Sequence, residues 1–246
     1  MKVLSAALLL AYIMPTPGVL KRFAAKRDDL SVSSLKATGV AVVSPVLARE
    51  LAGPLGVTWN SGELNLNATL AVRFPGRCRL ELGSSESTRV LAAAVSSGKR
   101  RSEGHEVAAL GVALEQACAL LAVKSSGEGS TREALLSHLR DLKVEVKQMS
   151  LARMGDAMTN ASVSYLIGDR AEGKPQLWVS KDRFLPVRLR FSNAAGSWDV
   201  RFSDYTSQAT GEVWPRVLEI YKGAEPQLRV MLLTADTQAK LDDVKF

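Results

Sequence analysis

From about Ser162 to Leu233, short alternations of apolar and polar residues follow one another, separated by turn residues and never by a helix-length stretch. Successive side chains of a strand point to opposite faces, so Leu185, Val187, Leu189 and Phe191 fall on one face and Arg188, Arg190 and Ser192 on the other. Trp198, Val200 and Phe202 repeat the pattern against Asp199, Arg201 and Ser203. The pattern predicts a meander of antiparallel strands with one apolar face. Leaving that face to water costs roughly 25 cal/mol per Å², so helices, a second sheet or an apolar ligand must cover it. The alternation allows either parity to face inward. The same seven apolar residues serve equally as a ligand-cavity lining or as ordinary core.

The N-terminal half reads as a second meander. Strands are predicted over Ala37 to Val43, Glu63 to Val72, Arg77 to Leu82 and Arg89 to Val95, with turns at Phe74-Pro75-Gly76 and Ser96-Ser97-Gly98. Ser44 to Gly56, punctuated by Pro and Gly, reads as a loop. Val19 to Leu30 reads as an amphipathic helix with Leu20, Phe23, Ala24 and Leu30 on one side and Lys21, Arg22, Lys26 and Arg27 on the other. Between the two strand sets, Glu106 to Val123 is apolar enough for a buried helix, and Ser130-Thr131-Arg132-Glu133 is a capping box that opens another. Lys143 to Gln148 alternates as a strand would. The expected organisation is a short N-terminal segment, 1–17, then one domain over 18–246 with helices inserted near 106–141.

At 246 residues and 46% hydrophobic, the chain can build a real core. Its formal charge of +7 is spread over mixed-sign segments, and no helix-turn-helix, zinc-finger or RNA-sheet signature accompanies it, so nucleic acid is not an expected partner. Lys99, Arg100 and Arg101 form the one tight basic triplet, read either as a solvated hairpin turn or as a docking point for an acidic surface. Lys2 followed by the apolar run Val3 to Met14, broken by Pro15 and Pro17, reads as an export signal cleaved near Thr16 to Gly18 or kept as an anchor, and predicts a periplasmic location. Cys78 and Cys118 suit either a disulfide or two buried thiols.

Catalytic chemistry is sparse. His105 and His138 have no second ligand at metal spacing, and no G-x-S-x-G elbow, C-x-x-C pair or P-loop occurs. Gly127-Glu128-Gly129-Ser130 lacks the third Gly and the Lys of a phosphate loop and reads as a linker plus cap. No enzyme, metal or cofactor is expected.

Three stretches carry a family likeness: Leu177-Trp178-Val179-Ser180-Lys181 leading into Leu185-Pro186-Val187-Arg188, Phe202-Ser203-Asp204-Tyr205, and Gly211 to Pro215 before Arg216-Val217-Leu218-Glu219. Together with Pro75-Gly76-Arg77 before Cys78-Arg79-Leu80-Glu81, the chain resembles the bacterial outer-membrane lipoprotein-sorting proteins of the periplasmic LolA-like superfamily. The resemblance implies a mainly antiparallel α+β fold: an open, curved half-barrel of about ten to eleven strands whose concave face is covered by helices. It further implies a monomeric, non-enzymatic carrier or chaperone that binds acyl chains of lipoproteins or a related lipid and meets a membrane receptor. Leu185, Val187, Leu189, Phe191, Trp198, Val200 and Phe202 are the candidate lining. The alternative is an envelope sensor or protein-interaction module on the same fold, using Lys99 to Arg101. The family also tethers its helical lid through a basic side chain, for which no position here stands out.

Overall fold

A computed structural model describes residues 13–125, 130–154 and 162–246. The apolar run of the expected signal up to residue 12, and the Gly127 to Gly129 linker, lie outside the described residues. Twelve strands form one antiparallel sheet in the order β5-β4-β3-β2-β1-β12-β11-β10-β9-β8-β7-β6. The first meander comprises β1 (Ser34–Val43), β2 (Leu64–Arg73), β3 (Arg77–Ser84), β4 (Ser87–Ser96) and β5 (Lys99–Glu103). The second comprises β6 (Met149–Met154), β7 (Ser162–Gly168), β8 (Gln176–Ser180), β9 (Pro186–Asn193), β10 (Gly196–Ser203), β11 (Val217–Lys222) and β12 (Glu225–Asp236). They meet where β1 pairs with β12, so β5 and β6 are the two free edges and the sheet is not closed.

That topology positions the helices. The chain must cross from edge β5 to edge β6, and it does so through α3 (Ala108–Leu121) and α4 (Thr131–Asp141). Helix α3 packs against β3, β4 and β5 and also against β11 and β12. On a flat sheet, β4 and β11 would lie about 24 Å apart at ~4.8 Å per strand, twice the ~10–12 Å width of a helix. The sheet therefore curls around α3. Parity is uniform on the enclosed face: in adjacent registers Leu177, Leu189, Val200, Ile220 and Leu228 line up, then Val43 beyond them. All are buried in one continuous core.

Several local expectations change. Ser44 to Gly56 is not a loop but a helix, α2 (Pro45–Leu55), because Ser44 caps it by accepting from the Leu47 N–H, Pro45 sits at its first turn where no amide partner is needed, and Gly56 ends it at φ +67°. Lys99 to Arg101 is not a hairpin turn but part of edge strand β5, which brings the sheet to twelve strands. Its five residues are all exposed and mostly charged, a composition that discourages edge pairing. Lys143 to Gln148 is a turn entered through Lys143 at φ +60°, and the strand begins only at Met149. Val144 and Val146 there pack on the core as single plugs. The capping box opens α4 as expected, with Ser130 accepting from the Glu133 N–H. Gly39 sits at the register shift between β1 and β12, where a Cβ would collide with the Met231 carbonyl oxygen.

Candidate functional site

Of the seven expected lining residues, six join one another. Leu185, Leu189, Phe191, Trp198, Val200 and Phe202 are each no more than 3% exposed and belong to the core on the concave side. Val187 does not. The β8–β9 register slips between Trp178 and Val179, which pair with Arg188 and Pro186, so Val187 is a bulge residue, half-buried and outside the core. Proline at the start of β9 fits the same irregularity. The six are covered by the protein's own side chains. Elsewhere on the same face, Trp214 from the β10–β11 connection and Leu114 of α3 pack over Leu70, Leu80, Leu218 and Val230 and leave a void of only about 10 Å³.

Open space lies instead beside helix α1 (Thr16–Asp28). A groove of about 550 Å³ runs between the start of α1, the face of α4 and the beginning of β6. Met14, Pro15, Leu20, Leu136, Val146 and Met149 form its apolar walls, with Arg132 and Lys147 at the rim. Neither cation has a carboxylate partner among the described residues. Leu20 belongs both to the groove and to the packed core, so the groove floor is continuous with the concave face.

Helix α1 is buried along Thr16, Val19, Leu20, Phe23, Ala24 and Arg27, a stripe at three- and four-residue spacing. Arg27 thus belongs to the buried face, not to the basic face that the composition of the helix suggests. Its guanidinium is fully buried and donates to three backbone carbonyls: Glu212 at 2.7 Å, Val213 at 3.1 Å and Leu121 at 3.3 Å. Burial lowers its pKa to about 10, against the pull of Tyr205 and Glu212, and it stays charged at neutral pH. One side chain therefore holds α1 to the end of α3 and to the connection that carries Trp214. Lys26 pairs with Glu212 at 2.9 Å, and Arg22 lies over the Phe184 ring at 4.9 Å. Asp28 accepts hydrogen bonds from the Thr131 hydroxyl and the Ser125 N–H, tying α1 to the start of α4. The one signal that could have singled out Arg27 is its spacing from Leu20, Phe23 and Ala24.

Cys78 of β3 and Cys118 of α3 are bonded, with Cα atoms 6.0 Å apart. Closing a loop of 40 residues restricts the unfolded chain by about 4 kcal/mol in the loop-entropy account. The basic triplet is not one patch. Arg100 points under α3, where it reaches Glu106 at 3.2 Å and Glu115 at 3.5 Å and its stem takes the space a Cβ on Gly111 would need. Lys99 and Arg101 are exposed. His105 is exposed in the turn before α3, and His138 faces α3 from α4. No group of three or more His, Cys, Asp or Glu is placed to hold a metal among the described residues, and no helix there is long and apolar enough to cross a membrane.

No protein-family model and no curated protein matches the sequence. Solved structures similar to it include a LolA superfamily protein from Nitrosomonas europaea, at 10% identity and TM-score 0.44, over 94% of this chain and 96% of that one. A DUF1329 family protein from Desulfovibrio piger is similar at 9% identity and TM-score 0.42, over 94% and 96%. A putative outer membrane lipoprotein-sorting protein domain from Vibrio parahaemolyticus is similar at 11% identity and TM-score 0.39, over 91% and 93%.

Proposed function

We propose that this chain is a non-enzymatic binding protein of an exported compartment that shields the acyl chain of an amphiphile, such as a lipoprotein anchor or a related lipid. The observation that carries the reading is the groove between α1 and α4. It is apolar along its walls, carries Arg132 and Lys147 at its rim, and joins the core through Leu20. At about 550 Å³ it falls in the size range of small-molecule sites, roughly 300–1,000 Å³. Hydrocarbon seated there gains about 0.8 kcal/mol per methylene, and two cations without a carboxylate partner among the described residues suit an anionic head group. Chains too long for the groove extend toward Leu189, Val200 and Phe202 as α1 and α4 part from the sheet. The polar ties of Arg27, Asp28 and Lys26 are reversible, which suits release. The Cys78–Cys118 bond and the positively started apolar N-terminus support an oxidising, exported location.

Native mass spectrometry of the protein purified from producing cells, followed by lipid extraction, tests the proposal. A bound species with the mass of an acyl lipid, displaced by added fatty acid, is expected. A chain that is invariably ligand-free and takes up no added fatty acid would contradict it. The exposed pair Lys99 and Arg101 on edge β5 favours a second reading, a protein-docking module. Capture of a defined envelope protein that survives delipidation and is lost on reversing both charges would favour that reading.

A further inference from the structure

The convex face of the sheet is treated differently in its two halves. Over β1 to β3 the C-terminal tail lies across it: Ser34 donates to the Ala239 carbonyl at 2.8 Å, Arg73 to Leu241 at 2.7 Å and Arg79 to Lys245 at 3.0 Å. Arg79 also pairs with Glu81 and Glu103. Arg73 and Arg79 are thus consumed by the chain itself. Over β8 to β11 no such strap is present among the described residues, and a second set of arginines borders an open cleft of about 390 Å³.

This second set is short of carboxylate. Arg188 and Arg201 sit directly opposite each other on β9 and β10, a like-charge pairing that ordinarily destabilises a sheet. Asp199 relieves it by accepting from both, from Arg188 Nε at 2.8 Å and Arg201 Nη2 at 3.1 Å. Burial alone would raise the Asp199 carboxyl, but the two guanidiniums outweigh that and hold it below the usual carboxylate range. Arg190 is the residue directly across from Asp199, yet Asp199 spends its oxygens on Arg188, its diagonal neighbour, and on Arg201, two residues along its own strand, and Arg190 has no ion-pair partner among the described residues. Lys174 at the cleft mouth has none either, and Glu219, opposite Arg201, is taken by Arg229. Four cations therefore border the cleft against Asp199 and Glu172. The guanidiniums are also fixed in place, Arg188 over the Trp178 ring at 5.1 Å and Arg201 over the Tyr221 ring at 4.1 Å. Forked donors held rigid beside an excess of positive charge match the geometry of a phosphate oxyanion.

We infer that this outer cleft, separate from the apolar groove, is a binding site for a phosphate group, with Arg190 as the side chain that meets it and Arg201 and Lys174 beside it. Backbone and arginine side-chain NMR during titration with inorganic phosphate, at ionic strength held constant with sodium chloride, reads the site directly. Saturable shifts confined to residues around Arg190, Arg201 and Tyr221 are expected, with affinity at least about tenfold weaker in Arg190→Gln, the loss of one charge-assisted contact. Arg190 has no ion pair among the described residues, so that variant should fold with an unchanged melting temperature. Leu136→Glu in the apolar groove should leave phosphate binding unchanged. Vesicles of phosphatidylcholine containing phosphatidic acid, set against glucose 1-phosphate, then identify a lipid head group or a soluble monoester as the source. Shifts that vanish at matched ionic strength, or that persist unchanged in Arg190→Gln, would overturn the assignment.

Discussion

Helix α3 and the α1–α4 pair cover the same concave face in opposite ways. Helix α3 is bonded to β3 through Cys78–Cys118, propped by Arg100 against Glu106 and Glu115, and in contact with both meanders. It is apolar on nearly every side, and the void beneath it is about 10 Å³. Helices α1 and α4 instead pack mainly on each other, are tied by single polar contacts from Arg27, Lys26 and Asp28, and leave a groove of about 550 Å³. A cover that is covalent on one side and hydrogen-bonded on the other should open from the hydrogen-bonded side. α3 is therefore expected to stay with the sheet, and the α1–α4 pair to open first.

The strongest way to break that contrast is to remove the covalent tie. Replacing both Cys78 and Cys118 by Ala should cost about 4 kcal/mol in chemical unfolding, and amide exchange in α3 should rise toward that of α1. If exchange in α3 stays slow, the disulfide is not what distinguishes the two covers. Next in size is Arg27→Met, which keeps the apolar stripe but leaves three carbonyls without their donor. A loss of about 2 kcal/mol is expected, read as faster exchange across Thr16–Asp28 with α3 unaffected. Thr131→Val removes one hydroxyl bond to Asp28 and should cost about 1 kcal/mol, again localised to the α1–α4 contact.

The smallest effect is a pH dependence. Burial against α3 holds the His138 imidazole below its ordinary pKa, with Asp141 partly offsetting this, and Glu115 lines the same recess. The unfolded chain takes up this proton first as pH falls below about 6.5. Stability is therefore full above that pH and is lost as pH falls toward the lower pKa of the folded state. His138→Gln should flatten the unfolding free energy between neutral pH and the onset of carboxylate titration. An unchanged slope would place the acid sensitivity elsewhere.

Much of the fold was legible because local rules and tertiary demands agree there. Trp198, Val200 and Phe202 alternate with charged residues and do face inward, and Ser130 with Glu133 caps α4 as the motif requires. Helix α2 was hidden because Pro45, Gly53, Pro54 and Gly56 carry the composition of a loop; Pro45 at the first turn and Gly56 at the C-cap sit where a helix favours them, while Pro54 is an interior proline that forgoes one hydrogen bond near the helix end. Val187 follows the alternation in sequence but loses its place to a one-residue bulge, which no periodicity reveals. The groove could not be read at all, since Leu20, Leu136 and Met149 come from three elements whose meeting depends on the edge-to-edge crossing of α3 and α4. Arg27 was misplaced for a simpler reason. A charge in an apolar stripe looks like an exposed residue until three backbone carbonyls are found converging on it.

The account rests on the α1–α4 groove accepting hydrocarbon, and equilibrium titration with a fluorescent long-chain fatty acid tests it most directly. The protein should bind one ligand saturably, Leu136→Glu should reduce affinity by at least about tenfold by placing a charge in the apolar wall, and reversing Lys99 and Arg101 should leave it unchanged. Absence of binding to the unaltered protein, or equal binding by Leu136→Glu, would contradict the account.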